Sequence, residues 1–196
     1  MRLAGRRPRR YPHGHLIRKR SILATIIPIA DVDPALVEEL LDAAFEPARR
    51  GRTAYKVREG MECLAALSFA VLDEDQMLVG TIQCWPIALT APGNGHSAGR
   101  AYPMIMVGPV AVLPALHGEG YGKALMTASL TAIDPRTPLP QVLIGDPEYY
   151  ERFFGFSAAH TGGWQLPGPF EPHRLLCRTA VPELLPPEGM LGPWRK

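Results

Sequence analysis

Apolar positions change their spacing several times along the chain, and each change marks an element. From Ser21 to Ile29 the residues are β-branched and apolar, which predicts a first strand. Asp33-Pro34 supplies an N-cap followed by proline at the first helical position, and Leu36, Val37, Leu40, Leu41 and Ala44 then recur at helical spacing as far as Phe45. Leu64 to Leu72 and Met77 to Leu89 flank the acidic turn Asp73-Glu-Asp-Gln76 and read as an antiparallel hairpin. A Gly/Pro/Asn loop covers 91–99, and Tyr102 to Val112 is the next strand. After a glycine-rich turn, Ala124, Leu125, Ala128 and Leu130 follow a helical pattern that ends near Ile133. Asp134-Pro-Arg-Thr-Pro-Leu-Pro140 is a rigid connector, and residues 162–178 supply one or two last strands, ending with Arg174-Leu-Leu-Cys-Arg178. From Pro182 the chain is Pro-rich and reads as a poorly ordered tail. Strand pairs before and after one glycine-loop helix predict an α/β sheet of mixed polarity.

Length adds that this is one domain, since 196 residues lie within the usual range for a single core. No apolar run reaches the 18 or so residues a membrane helix needs, and no signal-peptide core follows the basic start. Cys63, Cys84 and Cys177 are scattered and odd in number, which points to small buried side chains in a reducing, cytoplasmic setting. The six histidines form no metal-ligand spacing, so no metal is expected.

Charge divides the chain further. Eight of the 21 Arg and Lys residues fall in 1–20, where there is no acid, leaving 13 bases against 19 acids in the remainder. An acidic domain with a basic arm results. The arm, 1–20, is expected to be a disordered leader or the product of an upstream start; contact with RNA or an anionic membrane is the alternative reading. Three units follow: the arm, a domain over 21–180 and the Pro-rich tail over 181–196.

The strongest chemical signal is the segment Gly108-Pro-Val110-Ala111-Val112 leading into His117-Gly118-Glu119-Gly120-Tyr121-Gly122-Lys123. Strand, glycine loop and helix together aim backbone N–H groups and the positive end of a helix dipole at one point, which suits phosphate. A P-loop would need Ser or Thr after Lys123, where Ala124 stands, and a dinucleotide loop would need glycine at 123. Neither fits. The stretch resembles instead the pyrophosphate loop of the GNAT superfamily of acetyl-CoA-dependent N-acetyltransferases, whose pattern is [QR]-x-x-G-x-[GA]. His117 replaces the usual Gln or Arg, and Glu119, at an often basic position, is expected to face solvent. A second stretch, Gln141-Val-Leu-Ile-Gly-Asp-Pro-Glu-Tyr149-Tyr150-Glu-Arg-Phe-Phe-Gly-Phe156, looks like that superfamily's fifth strand and following helix. Its Gly-Asp-Pro-x-Tyr-Tyr is similar to a bacterial subgroup of predicted acetyltransferases.

The resemblance implies a GNAT-like mixed, mostly antiparallel sheet in which two central parallel strands splay apart to admit the thioester and pantetheine. Val110, Ala111 and Val112 would meet the pantetheine through their backbones, and His117 to Lys123 would cradle the pyrophosphate. The helix–loop from Glu46 to Glu59 would overhang the acceptor. Tyr150, with Tyr149 as runner-up, matches the tyrosine that protonates the leaving thiolate, but it lies five residues before Gly155 rather than the usual four. The general base is open between Glu59, Glu62, His96 and a water chain, and Asp146 before Pro147 reads first as an N-cap. The implied function is acetyl transfer from acetyl-CoA to a primary amine on a small molecule or protein. The net acidity of the domain suits a cationic acceptor, nucleic acid is not an expected partner, and a homodimer stays open. The alternative is a non-catalytic acyl-CoA-binding or interaction module that works through the basic arm.

Overall fold

Local chemistry sets the helix ends. In the computed structural model, which describes residues 24–93, 99–136 and 138–195, helix α1 spans Pro34–Phe45, and the Asp33 carboxylate accepts a hydrogen bond from the Ala35 amide at 2.9 Å. Helix α4 (Pro147–Phe154) repeats the device, with Asp146 accepting from the Glu148 amide at 3.1 Å. Gly155, at φ +70°, closes α4: its own amide donates to Glu151 and the Phe156 amide to Tyr150. Between α1 and the hairpin lies a short 3₁₀ segment, Pro47–Gly51, and then helix α2, Thr53–Val57. Helix α3 is Tyr121–Ala132.

Strands β1 (Thr25–Pro28), β2 (Phe69–Leu72), β3 (Leu78–Thr90) and β4 (Ala101–Val112) pair antiparallel in that order. β5 (Gln141–Ile144) lies parallel to β4, and β7 (Leu175–Arg178) closes the sheet antiparallel to β5. The sheet is mixed, as the pattern predicts, and mostly antiparallel, as the resemblance implies. β4 and β5 are paired only at Ile105–Gln141 and Met106–Val142, so the two strands part beyond Met106. β4 also carries an extra residue opposite β3, since Ile82 faces Val110 while Cys84 faces Val107, which places a bulge at Gly108-Pro109.

Alternation of side chains gives the sheet two faces. Ile82, Cys84 and Val107 pack under α3 with Leu125 and Met126. Ala111 lies on the other face against Val37, Leu40 and Leu41 of α1.

The Pro-rich end departs from expectation. Glu188–Pro193 forms strand β8, which pairs with the last residues of β3 and with β6 (Gly163–Gln165). Composition misled here because Pro182, Pro186 and Pro187 stand before the strand and Pro193 at its end, where no ladder amide is lost in mid-strand. Leu191 is buried in the cluster around Trp164, whose indole N–H donates to the Pro186 carbonyl at 2.9 Å. The hairpin's first arm is also shorter than read: Ala65–Leu67 is a 3₁₀ turn, and the strand starts at Phe69. The basic arm and the start of the first strand lie outside the described residues.

Candidate active site

Where β4 and β5 part, a cleft of about 420 Å³ opens on the α3 side. Val110 and Val112 of β4, the turn from His117 to Lys123, and Tyr149, Tyr150 and Phe153 of α4 line it. The chain leaves β4 through a 3₁₀ turn, Pro114–Leu116, and His117 ties the loop back, its Nε2–H donating to the Val112 carbonyl at 3.0 Å. Gly118 (φ +84°) and Gly120 (φ +94°) adopt left-handed conformations that favour glycine. A Cβ on Gly118 would stand in open space, and Gly120 caps α3 without any side-chain acceptor. The first intrahelical bond runs from the Ala124 amide to the Gly120 carbonyl at 3.0 Å. The amides of Gly122 and Lys123 precede it and have no helical partner. The donors, the dipole and the open cradle suit a pyrophosphate.

Two of the sequence-predicted residues lie apart from this cleft. Glu119 is exposed and does not line it, as its charge near an anion site requires. The Ala111 side chain is buried against α1, so only its backbone is available to the cleft side.

Tyr150 is half-buried on the first turn of α4, edge-on to Tyr149 at a centroid distance of 5.1 Å. Burial pushes its phenol up to about 12, and the neighbouring Tyr149 and Asp146 push the same way. Burial also raises Tyr149. The extra residue before Gly155 is absorbed by two successive rings going separate ways. Phe154 packs against the core under α3, whereas Phe153 is exposed at the cleft, where the Lys123 ammonium sits 4.6 Å from its ring centre.

A second cavity, of about 400 Å³, lies on the opposite face between the α1–α2 segment and β3. Glu59 lines it; Glu62 does not, and His96 lies outside the described residues. Arg49, 2 % exposed, braces this side: its guanidinium donates to Asp42 at 2.7 Å, to Glu38 at 2.6 Å and to the Tyr55 hydroxyl. Arg50 adds a second bond to Glu38 at 2.8 Å. Burial opposes the charge on Glu38, but the bonds from Arg50 and Arg49 outweigh it and hold the carboxyl below its ordinary range. Tyr55 in turn lies under Arg58, whose side chain also stacks on Trp85 and donates to the Gly108 carbonyl at 3.2 Å. The clustering of Arg and Tyr over 49–58 was a visible signal of this network, but nothing in the sequence marks Trp85 as its partner.

Among the described residues no His, Cys, Asp and Glu group could hold a metal, and no helix is long and apolar enough to cross a membrane. Cys84 and Cys177 are buried, and burial pushes both thiols up to about 12.

A glycine-capped helix is thus aimed into the gap between two parting parallel strands of a mixed α/β sheet. A model of the acetyltransferase (GNAT) domain matches residues 25–159, more than half of the chain, and the chain belongs to that family. A GNAT family N-acetyltransferase, YhbS from Escherichia coli, solved in complex with CoA, superposes with a TM-score of 0.63 at 20 % identity, over 88 % of this chain and 89 % of its own. A GNAT family acetyltransferase from Brucella melitensis, in complex with acetyl-CoA, is 26 % identical over 81 % of this chain and 97 % of its own, with a TM-score of 0.49. No curated protein sequence matches the chain.

Proposed function

We propose that the chain transfers the acetyl group of acetyl-CoA to a primary amine by direct attack, as a member of the Gly-Asp-Pro-x-Tyr-Tyr subgroup. The observation that carries this reading is the cleft itself, in which the loop 117–123 and Tyr150 flank one opening between β4 and β5. Acetyl-CoA, as in the two neighbours solved with CoA or acetyl-CoA, supplies the activated thioester. This chain's own residues bind, orient and stabilise.

The loop amides and the α3 dipole hold the pyrophosphate, and the backbone of Val110 to Val112 aligns the pantetheine arm as a further strand would. Alignment of two bound reactants alone can supply about 7–11 kcal/mol of barrier reduction. The acceptor nitrogen forms its bond to the acetyl carbon while the carbon–sulfur bond breaks. The nitrogen's proton leaves through water or to Glu59. The sulfur takes a hydrogen bond from Tyr150 as its charge develops. A phenol near 12 stays protonated throughout the working range. It is a poorer acid than an ordinary thiol, of pKa about 8.5, so Tyr150 serves mainly as a hydrogen-bond donor and water completes the proton transfer. The three free cysteines support a cytoplasmic setting.

Calorimetry with acetyl-CoA, followed by thiol release across a panel of amines, tests the reading. Acetyl-CoA binding with amine-dependent thiol release is the expected result. No binding by the intact chain overturns it.

A further inference from the structure

We propose that the cavity on the α1–α2 face selects an acceptor amine that also carries one carboxylate, an amino acid or an amine of that kind, and that Arg58 binds the carboxylate. This deepens the transfer reading above and rests on it for the placement of the reacting amine.

Arg58 is 6 % exposed, and its guanidinium lies between the rings of Tyr55 and Trp85, 4.2 and 4.3 Å from their centres. A guanidinium has five N–H donors. Arg58 donates one of them to the Gly108 carbonyl and, among the described residues, forms no ion pair. Arg49 shows what a buried arginine in this fold ordinarily has: two carboxylates and a hydroxyl. A buried cation left without an anion is costly, and the ring stacking offsets only part of that cost. The same burial lowers the Arg58 pKa, and the neighbouring Tyr55 hydroxyl opposes that shift without cancelling it.

A second observation points the same way. Trp85 also lines this cavity, and its indole N–H is buried with no acceptor. One wall of the cavity thus holds a guanidinium with no carboxylate partner beside an indole N–H with no acceptor.

Charge counting sets the ligand's valence. Of the other charged groups lining the cavity, Arg50 is paired with Glu38, and Lys56 balances Glu59. One positive charge remains, which suits a carboxylate; a phosphate monoester would bring about −1.5 to −2. A carboxylate also matches the flat fork of a guanidinium held rigid by two rings. About 400 Å³ is room for a single small molecule. Arg58 touches Gly108, two residues before Val110 in the wall of the other cleft. A carboxylate on Arg58 therefore sits one short molecule away from the parting of the strands, with Glu59 on the same side to draw the ammonium end. The net acidity of the domain favours cationic acceptors, but exposed charges are screened beyond about 8–10 Å, whereas the buried one is not.

Thiol release is measured for proteinogenic amino acids, each beside its own α-carboxamide, with the full chain and saturating acetyl-CoA. The acids are expected to exceed the amides by about tenfold or more in kcat/KM. Arg58→Gln is expected to remove the difference by raising KM for the acids while the KM for acetyl-CoA holds, and Arg58→Lys to restore part of it. Equal use of acid and amide, or a preference that survives Arg58→Gln, overturns the proposal. If Arg58→Gln fails to fold, Trp85→Phe keeps an aromatic ring over Arg58 and removes the orphan donor, and should raise KM for the acids alone; an unchanged KM counts against the site. Should no amine be acetylated, calorimetry of N-acetyl amino acids against N-acetyl amino amides in the presence of CoA separates the two ideas. Acid-selective binding that Arg58→Gln abolishes keeps the carboxylate site and removes the transfer reading. Equal or absent binding removes the site.

Discussion

The ring of Tyr150 occupies the space where the Cβ of any residue other than glycine at position 145 would stand. Gly145 directly follows β5, and Asp146-Pro147 starts α4 after it, so strand, glycine and tyrosine are fixed as one unit. A Cβ there has to drive the ring away from the sheet. Gly145→Ala is expected to cost about 1–3 kcal/mol in stability, as overpacking does, and to lower kcat with little change in acetyl-CoA affinity. Thermal melts and calorimetry read the two effects separately. Wild-type turnover in a folded Gly145→Ala protein would show that the ring's position is immaterial.

Tyr150→Phe keeps the ring and removes only the donor. A hydrogen bond to a charged group is worth about 1.5–3 kcal/mol, so kcat should fall roughly 10- to 100-fold while the KM for acetyl-CoA stays nearly constant. Tyr149→Phe should lose less. With the Tyr150 phenol near 12 in the folded state, against an ordinary value near 10, its contribution to stability is complete below pH 10. It is lost as pH rises from about 10 to about 12. No alkaline limb from this group should therefore appear in the pH–rate profile below pH 10. Near-normal turnover in the double Tyr→Phe variant rules out a tyrosine donor on this helix.

The pyrophosphate role proposed for the loop 117–123 rests on backbone shape more than on any side chain. Gly120→Val forces a β-branched residue to φ +94° at the cap of α3 and should weaken acetyl-CoA binding about tenfold or more, or 1.4 kcal/mol. His117→Gln should change little, because a Gln amide can also donate to the Val112 carbonyl that His117 now holds. Calorimetry on both variants checks the contrast, and unchanged affinity in Gly120→Val counts against a phosphate role for the loop.

Acid should loosen the α1–α2 side first. The Glu38 carboxyl is held below its ordinary value of 4.5 by Arg50 and Arg49 against the opposing effect of burial. Its contribution to stability is present above that value and is lost as pH falls through the depressed folded pKa. Glu38→Gln should therefore flatten the acid side of the stability curve and leave the curve near pH 7 to 9 parallel to wild type. Urea melts from pH 3 to 9 would show it, and an acid limb unaffected by the substitution argues against the network.

Much of this arrangement is legible in the sequence itself. Asp33-Pro34 and Asp146-Pro147 announce helix starts by cap chemistry alone, and Gly118 and Gly120 announce left-handed turns. These are short-range signals, decided within three or four residues. Arg58, Trp85 and Gly108 meet across the fold, and no local pattern records that meeting. The Leu191 strand was hidden for a related reason: its stability comes from pairing with β3 and from Trp164, while its own composition speaks only of proline.

That last strand also decides the fate of an edge. β2 covers β3 only as far as Ile82, and Ile87 to Thr90 rely on β8 for their outer hydrogen bonds. Without it, a row of unpaired amides and carbonyls flanked by Ile87 and Leu89 would face outward, the kind of template on which chains stack into aggregates. The loop from His117 to Lys123, far from this border, would be untouched. Shortened forms ending before Glu188 are thus expected to lose solubility before they lose the cleft, and insoluble expression of such a fragment says nothing about its chemistry.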